Sequence, residues 1–124
     1  MTTLDYTSRS GTDLADTDAR FAELLSRTPW LGAYEAFQTR TGLQHLLADI
    51  RTRAFSGEAG DIDISTTASS TLVTVILEDS GTALGLPQPQ AGAPVPAAVG
   101  QAFDEVTYGR VLGRNRWILR RFAR

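Results

Sequence analysis

The sequence predicts an α+β fold, with two or three N-terminal helices packed on a curved, mostly antiparallel sheet. Three observations carry that expectation. Apolar residues recur at helical spacing only in the first half of the chain, over residues 14–27 and 43–54. After Gly60 the period drops to two, with Asp61-Ile62-Asp63-Ile64-Ser65 alternating strictly. In residues 101–124, two runs rich in β-branched and aromatic residues flank Gly113-Arg114-Asn115, a connection whose Gly and Asn suit positive-φ turn positions.

At 124 residues, the chain is long enough for one domain that buries roughly two thirds of the surface its unfolded form exposes. No apolar run approaches the ~20 residues that span a bilayer, so no membrane partner is expected. The opening MTTLDYTSRSG has neither an apolar core nor a basic cluster, so no secretory signal is read and the cytoplasm is the expected location. The absence of Cys excludes disulfides, thiolate nucleophiles and Cys-ligated zinc, and His45, the single His, excludes a multi-histidine metal site. Neither a metal nor another cofactor is expected.

Residues 1–12 are rich in Thr, Ser and Gly and read as a flexible lead-in, with residues 13–124 as the domain. Thr12 or Asp13 can cap the first helix, because their side-chain oxygens reach the free amides of its first turn. Leu14, Phe21, Leu24 and Leu25 form its apolar stripe, and Thr28-Pro29 stops it, since Pro disfavours helical geometry in the preceding residue. Residues 30–40 mix aromatic residues with Gly32 without a clean period, and read as a connection holding a short strand. Thr41-Gly42 then leads into the clearest helix, with Leu43, Leu46, Leu47, Ile50 and Ala54 at helical spacing.

The alternating run after Gly60 and the β-branched run 71–77 form a hairpin across the polar segment 66–70. Residues 85–100 hold all but one of the five prolines, so the middle of this segment reads as a surface loop outside the sheet, suited to act as a lid or to connect without a role. The second hairpin, 103–112 with 116–122, closes the chain.

All 12 basic residues are Arg, and residues 106–124 hold six of them with no acid. Such a stripe attracts phosphates, but it serves equally to deter edge-to-edge pairing and to bridge to the acidic N-terminal half. Nucleic acid is not the expected partner.

Gly42-Leu43-Gln44-His45-Leu46-Leu47 and Gly113-Arg114-Asn115-Arg116-Trp117-Ile118-Leu119 resemble the Gly-led helix and the terminal strand of SnoaL-like domains in the nuclear-transport-factor-2-like superfamily. The resemblance covers residues 13–123. It implies a cone-shaped fold with a small-molecule cavity between sheet and helices, and an isomerase or polyketide cyclase acting on a lipophilic carbonyl compound, or a non-catalytic ligand-binding protein. It supplies no catalytic motif. The opening Leu4-Asp5-Tyr6-Thr7-Ser8-Arg9 is also similar to the start of some phage baseplate proteins.

Strand alternation places Asp104, Tyr108 and Arg110 on one face. If that face looks into a pocket, Asp104 can serve as a base raised in pKa by burial and Tyr108 as the donor that stabilises an enolate; if it looks into solvent, Asp104 and Arg110 form surface pairs. Trp30, Tyr34, Phe37 and Trp117 either line a ligand cavity or fill it as core. His45 and Asp49, four apart on the second helix, suit an oriented imidazole or an ordinary solvated face. Glu78-Asp79-Ser80-Gly81 reads as a turn in which Asp79 accepts from the backbone ahead, not as a metal site. Ile62, Ile64, Val73, Val75 and Leu77 are expected to supply an apolar sheet face through which the chain forms a homodimer. An interaction protein using the Arg-rich hairpin is the alternative to a small-molecule domain.

Overall fold

In the computed structural model, which describes residues 4–9, 14–55, 62–81, 90–91 and 97–124, the first helix is α1, Leu14–Ser26. Phe21, Leu24 and Leu25 are buried, as their spacing predicts. The helix stops where the Thr28 hydroxyl donates to Leu24 O at 2.9 Å and Pro29 follows.

The next element differs from the expectation. Residues 33–40 form the first turns of one long helix, α2, Ala33–Phe55, and not a short strand. Tyr34 and Phe37 lie on its solvent side, 72% and 64% exposed, so the apolar residues here fall off the stripe that Leu43, Leu46, Leu47 and Ile50 bury. That displacement conceals the helical period. Gly42 is inside α2 instead of ahead of it, and its missing side chain has a tertiary cause. A Cβ there would run into Ala102 Cβ and the Ala98 carbonyl of α3, Ala97–Ala102, a third helix that lies between the hairpins and not at the N-terminus.

The strands are β1, Leu4–Arg9; β2, Ile62–Ala68; β3, Leu72–Asp79; β4, Gln90–Ala91; β5, Glu105–Val111; and β6, Arg114–Phe122. They form one sheet in the order β1-β2-β3-β6-β5-β4, and every pairing is antiparallel. The class is therefore α+β. Two segments expected outside the sheet belong to it. Residues 4–9, within the expected lead-in, pair with β2, and Gln90–Ala91, within the Pro-rich segment, pair with Tyr108 and Thr107. The rest of the expected lid, 86–89 and 92–96, lies outside the described residues.

The terminal hairpin turns one position earlier than its composition suggests. Leu112 and Gly113 form the connection, with φ of 52° and 77°, which is the pair of positive values a two-residue type I′ turn requires. Arg114 and Asn115 are consequently strand residues.

Alternation sorts the sheet into two faces. Ile62, Ile64, Val73, Val75, Leu77, Val106, Tyr108, Trp117 and Leu119 point inward and join Phe21, Leu25, Leu46 and Ile50 in a continuous core. The five residues assigned to a dimer face are thus the floor of the core, all at most 4% exposed, and the dimer expectation loses its surface. The alternation of Ile62 and Ile64 with Asp61 and Asp63 marks a two-faced strand but not which face is covered. On the outer face Glu78 lies between Arg114 and Arg116, at 3.7 and 3.4 Å, Arg114 also reaches Asp63 at 3.2 Å, and Arg120 reaches Glu105 at 3.8 Å. Arg114, Arg116 and Arg120 of the basic stripe are thus paired with acids of the neighbouring strands. Among the described residues no helix is long and apolar enough to cross a membrane.

Candidate functional site

The residues expected to act together as base and donor are separated. Asp104 precedes β5, where its Oδ2 accepts from Phe122 N at 2.8 Å and its Oδ1 pairs with Arg124. Tyr108 lies inward opposite Trp117, and its hydroxyl donates to Asn115 Oδ1 at 2.5 Å. Phe122 is five residues beyond Trp117 on β6, roughly 17 Å at the rise of a strand, and the Tyr108 hydroxyl points the other way. Asp104 is exposed just ahead of the strand, whereas Tyr108 is buried within it.

Tyr108 belongs instead to a buried polar cluster at one end of the sheet. Asn115 Nδ2 donates to Asp79 Oδ1 at 2.8 Å, which also accepts from Gly81 N at 2.9 Å, the turn contact expected of Asp79. Arg110 closes the cluster from solvent, donating to Asn115 Oδ1 at 3.0 Å and to Gly113 O at 2.8 Å. Asp79 Oδ2 is buried without a hydrogen-bond partner. Glu78 and Asp79 point to opposite faces, and among the described residues no group of acids and His is placed to hold a metal. His45 is on the solvent side of α2, and Asp49 is only partly covered.

The four aromatic residues divide. Trp117 is fully buried, its ring 4.8 Å from that of Tyr108, and it fills the core where a cavity was one expectation. Tyr34 and Phe37 face solvent. Trp30 is the one placed at a concave surface. It is half-buried in the link between α1 and α2, and its indole Nε1 donates to Ser69 O at 2.9 Å, which ties the link to the β2–β3 turn. That turn is itself braced, since Ser69 N donates to Leu72 O at 2.9 Å and Ala123 N to Thr71 O at 2.8 Å. The indole is therefore fixed between two well-held segments.

Two depressions share Trp30 as a wall. One, of about 320 Å³, runs between Arg27, Pro29 and the Ala68–Ser70 turn; the other, of about 170 Å³, is bounded by Leu31, Glu35, Arg121, Phe122 and Arg124. Arg121 is only 7% exposed. Its Nη1 donates to Ala102 O, Gln38 Oε1 and Thr39 Oγ1 at 3.0, 3.1 and 3.2 Å. Thr39 can accept because its own proton goes to Glu35 O at 2.7 Å. Burial, reinforced by repulsion from Arg124, holds the Arg121 guanidinium below the ordinary arginine pKa. Arg121 was not singled out from the sequence, although a signal existed: it is in phase with Trp117 and Leu119, on the inward side of β6.

Compared with models of known protein families and with the sequences of curated proteins, the chain matches none.

Proposed function

We propose that the protein is a non-catalytic binding domain that takes an apolar small molecule or side chain in the groove around Trp30. The observation that carries this reading is the indole itself: a large aromatic ring, half-buried, anchored by Ser69 and walling two adjoining depressions. An aromatic ring held at a concave surface offers apolar contact without a cost for ordering it on binding. The small-molecule part of the SnoaL-like resemblance agrees with this reading. Its catalytic form is disfavoured, because Asp104 is occupied by Phe122 N and Arg124 and lies at the far end of the sheet from the Tyr108 hydroxyl.

Labelling with 5-fluorotryptophan gives two ¹⁹F signals, one for Trp30 and one for buried Trp117. Titration with apolar aromatic fragments is expected to move the Trp30 signal alone, and Tyr108→Phe is expected to leave that response unchanged. A response confined to Trp117, or none at either residue, defeats the reading.

A further inference from the structure

Arg121 carries a charge into the wall of the groove without a matching ion. Its three acceptors are a carbonyl, an amide and a hydroxyl, all bound through the single nitrogen Nη1, and Nε and Nη2 have no protein partner among the described residues. A cation at 7% exposure with only neutral acceptors is unusual, since buried charges are ordinarily paired with an opposite charge. The acids nearby are committed elsewhere. Asp104 holds Phe122 N and Arg124, and the Glu35 carboxylate is turned back over Gly32 at the start of α2, where a Cβ on Gly32 would collide with it. A carboxylate at the N-terminus of a helix is favoured there by the helix dipole.

Resting on the binding reading above, we propose that the Trp30 groove selects ligands that carry a free carboxylate, with Arg121 as its recognition group. The planar guanidinium presents its remaining N–H groups in the fork that a carboxylate matches, and Trp30 and Phe122 take the apolar body beside it. Glu35, lining the same depression, opposes the incoming charge and sets an upper limit on affinity. The same chemistry arises from a free aromatic acid or from the C-terminus of a peptide.

Calorimetric titration of the full chain with 2-naphthoate, 2-naphthamide, and a Phe-terminated tetrapeptide as free acid and as amide tests this. The free acid is expected to bind at least tenfold more tightly than its amide, in the naphthyl series if the natural source is a small acid and in the peptide series if it is a protein terminus. Arg121→Gln is expected to abolish the preference. Because Arg121 also ties α2, α3 and β6 together, Glu35→Gln provides a second arm: it is expected to tighten the acid severalfold and leave the amide unchanged. Equal affinities for acid and amide, with the Trp30 signal moving in both, overturn the carboxylate assignment while leaving the groove intact. So does an acid affinity that Glu35→Gln does not alter. If neither series binds and Trp30 does not respond, the carboxylate assignment and the binding reading fall together.

Discussion

Asp79 and Asn115 face each other across β3 and β6, both fully buried, and the amide of Asn115 donates to one carboxylate oxygen of Asp79 while its own oxygen accepts from Tyr108 and Arg110. One side chain thus serves three others. Asn115→Ala withdraws an acceptor from two donors and a donor from a buried acid at once, and leaving buried polar groups unmatched is costly. The expected loss is about 3 kcal/mol, read by urea unfolding, with Tyr108→Phe costing about 1 kcal/mol because it removes a single donor.

Gly42→Ala should destabilise, although Ala is favoured over Gly in a helix interior by about 1 kcal/mol. The new methyl meets Ala102 Cβ and the Ala98 carbonyl, so α3 must move away from α2. A net loss of about 2 kcal/mol is expected from overpacking. Gly100→Ala, on the same short α3 but with open space around it, is the control and should be neutral or stabilising.

The hairpin tip contains an inexpensive improvement. Leu112 is 97% exposed and holds φ of 52°, a conformation in which Leu gains no contact to offset its strain. Leu112→Asn creates the Asn-Gly pair that type I′ turns favour, and is expected to raise stability by about 1 kcal/mol in thermal unfolding.

Acid sensitivity follows from α1 and α2. The hydrogen bonds that Arg40 donates to Asp18, at 2.7 and 3.3 Å, hold its carboxyl below the usual aspartate pKa, with Gln44 adding a third. A depressed folded-state pKa contributes stability that is fully present above the unfolded value of about 3.9 and is lost as pH falls through the folded value. Asp18→Asn should therefore be less stable than the parent at pH 6, and the gap should narrow below about pH 4. Urea midpoints measured from pH 2.5 to 6 check the convergence.

Those parts of the fold whose cause is local were legible in the sequence. Phe21, Leu24 and Leu25 of α1, the stripe of Leu43–Leu46–Leu47–Ile50 and the alternation of β2 recur in the structure because burial of one face is written into residue spacing. Features with a tertiary cause were read otherwise. Gly42 resembles a helix boundary and is in fact a contact point for α3. Asn115 resembles a turn residue, and its amide is instead matched to Asp79 and Tyr108 inside the sheet. Residues 4–9 have little apolar pattern and become a strand through their partner β2. At the candidate site Trp30 was legible as an aromatic residue off any stripe. Arg121 was concealed in a run of arginines, and only the register of β6 separates it from Arg120 on the opposite face.

The strand order β1-β2-β3-β6-β5-β4 also governs how the protein is made. β3 and β6 lie side by side at the middle of the sheet, yet β4, α3 and β5 separate them in the chain. During synthesis, α1, α2 and the first three strands leave the ribosome while β3 still has one open edge, and Val73, Val75 and Leu77 await Trp117 and Leu119. Long-range pairing of this kind is slow to form and leaves strand edges open to other chains in the meantime. A nascent chain cut short before Trp117 is therefore an aggregation hazard and not a smaller version of the domain, and yield in cells should depend on chaperone capacity more steeply than equilibrium stability suggests.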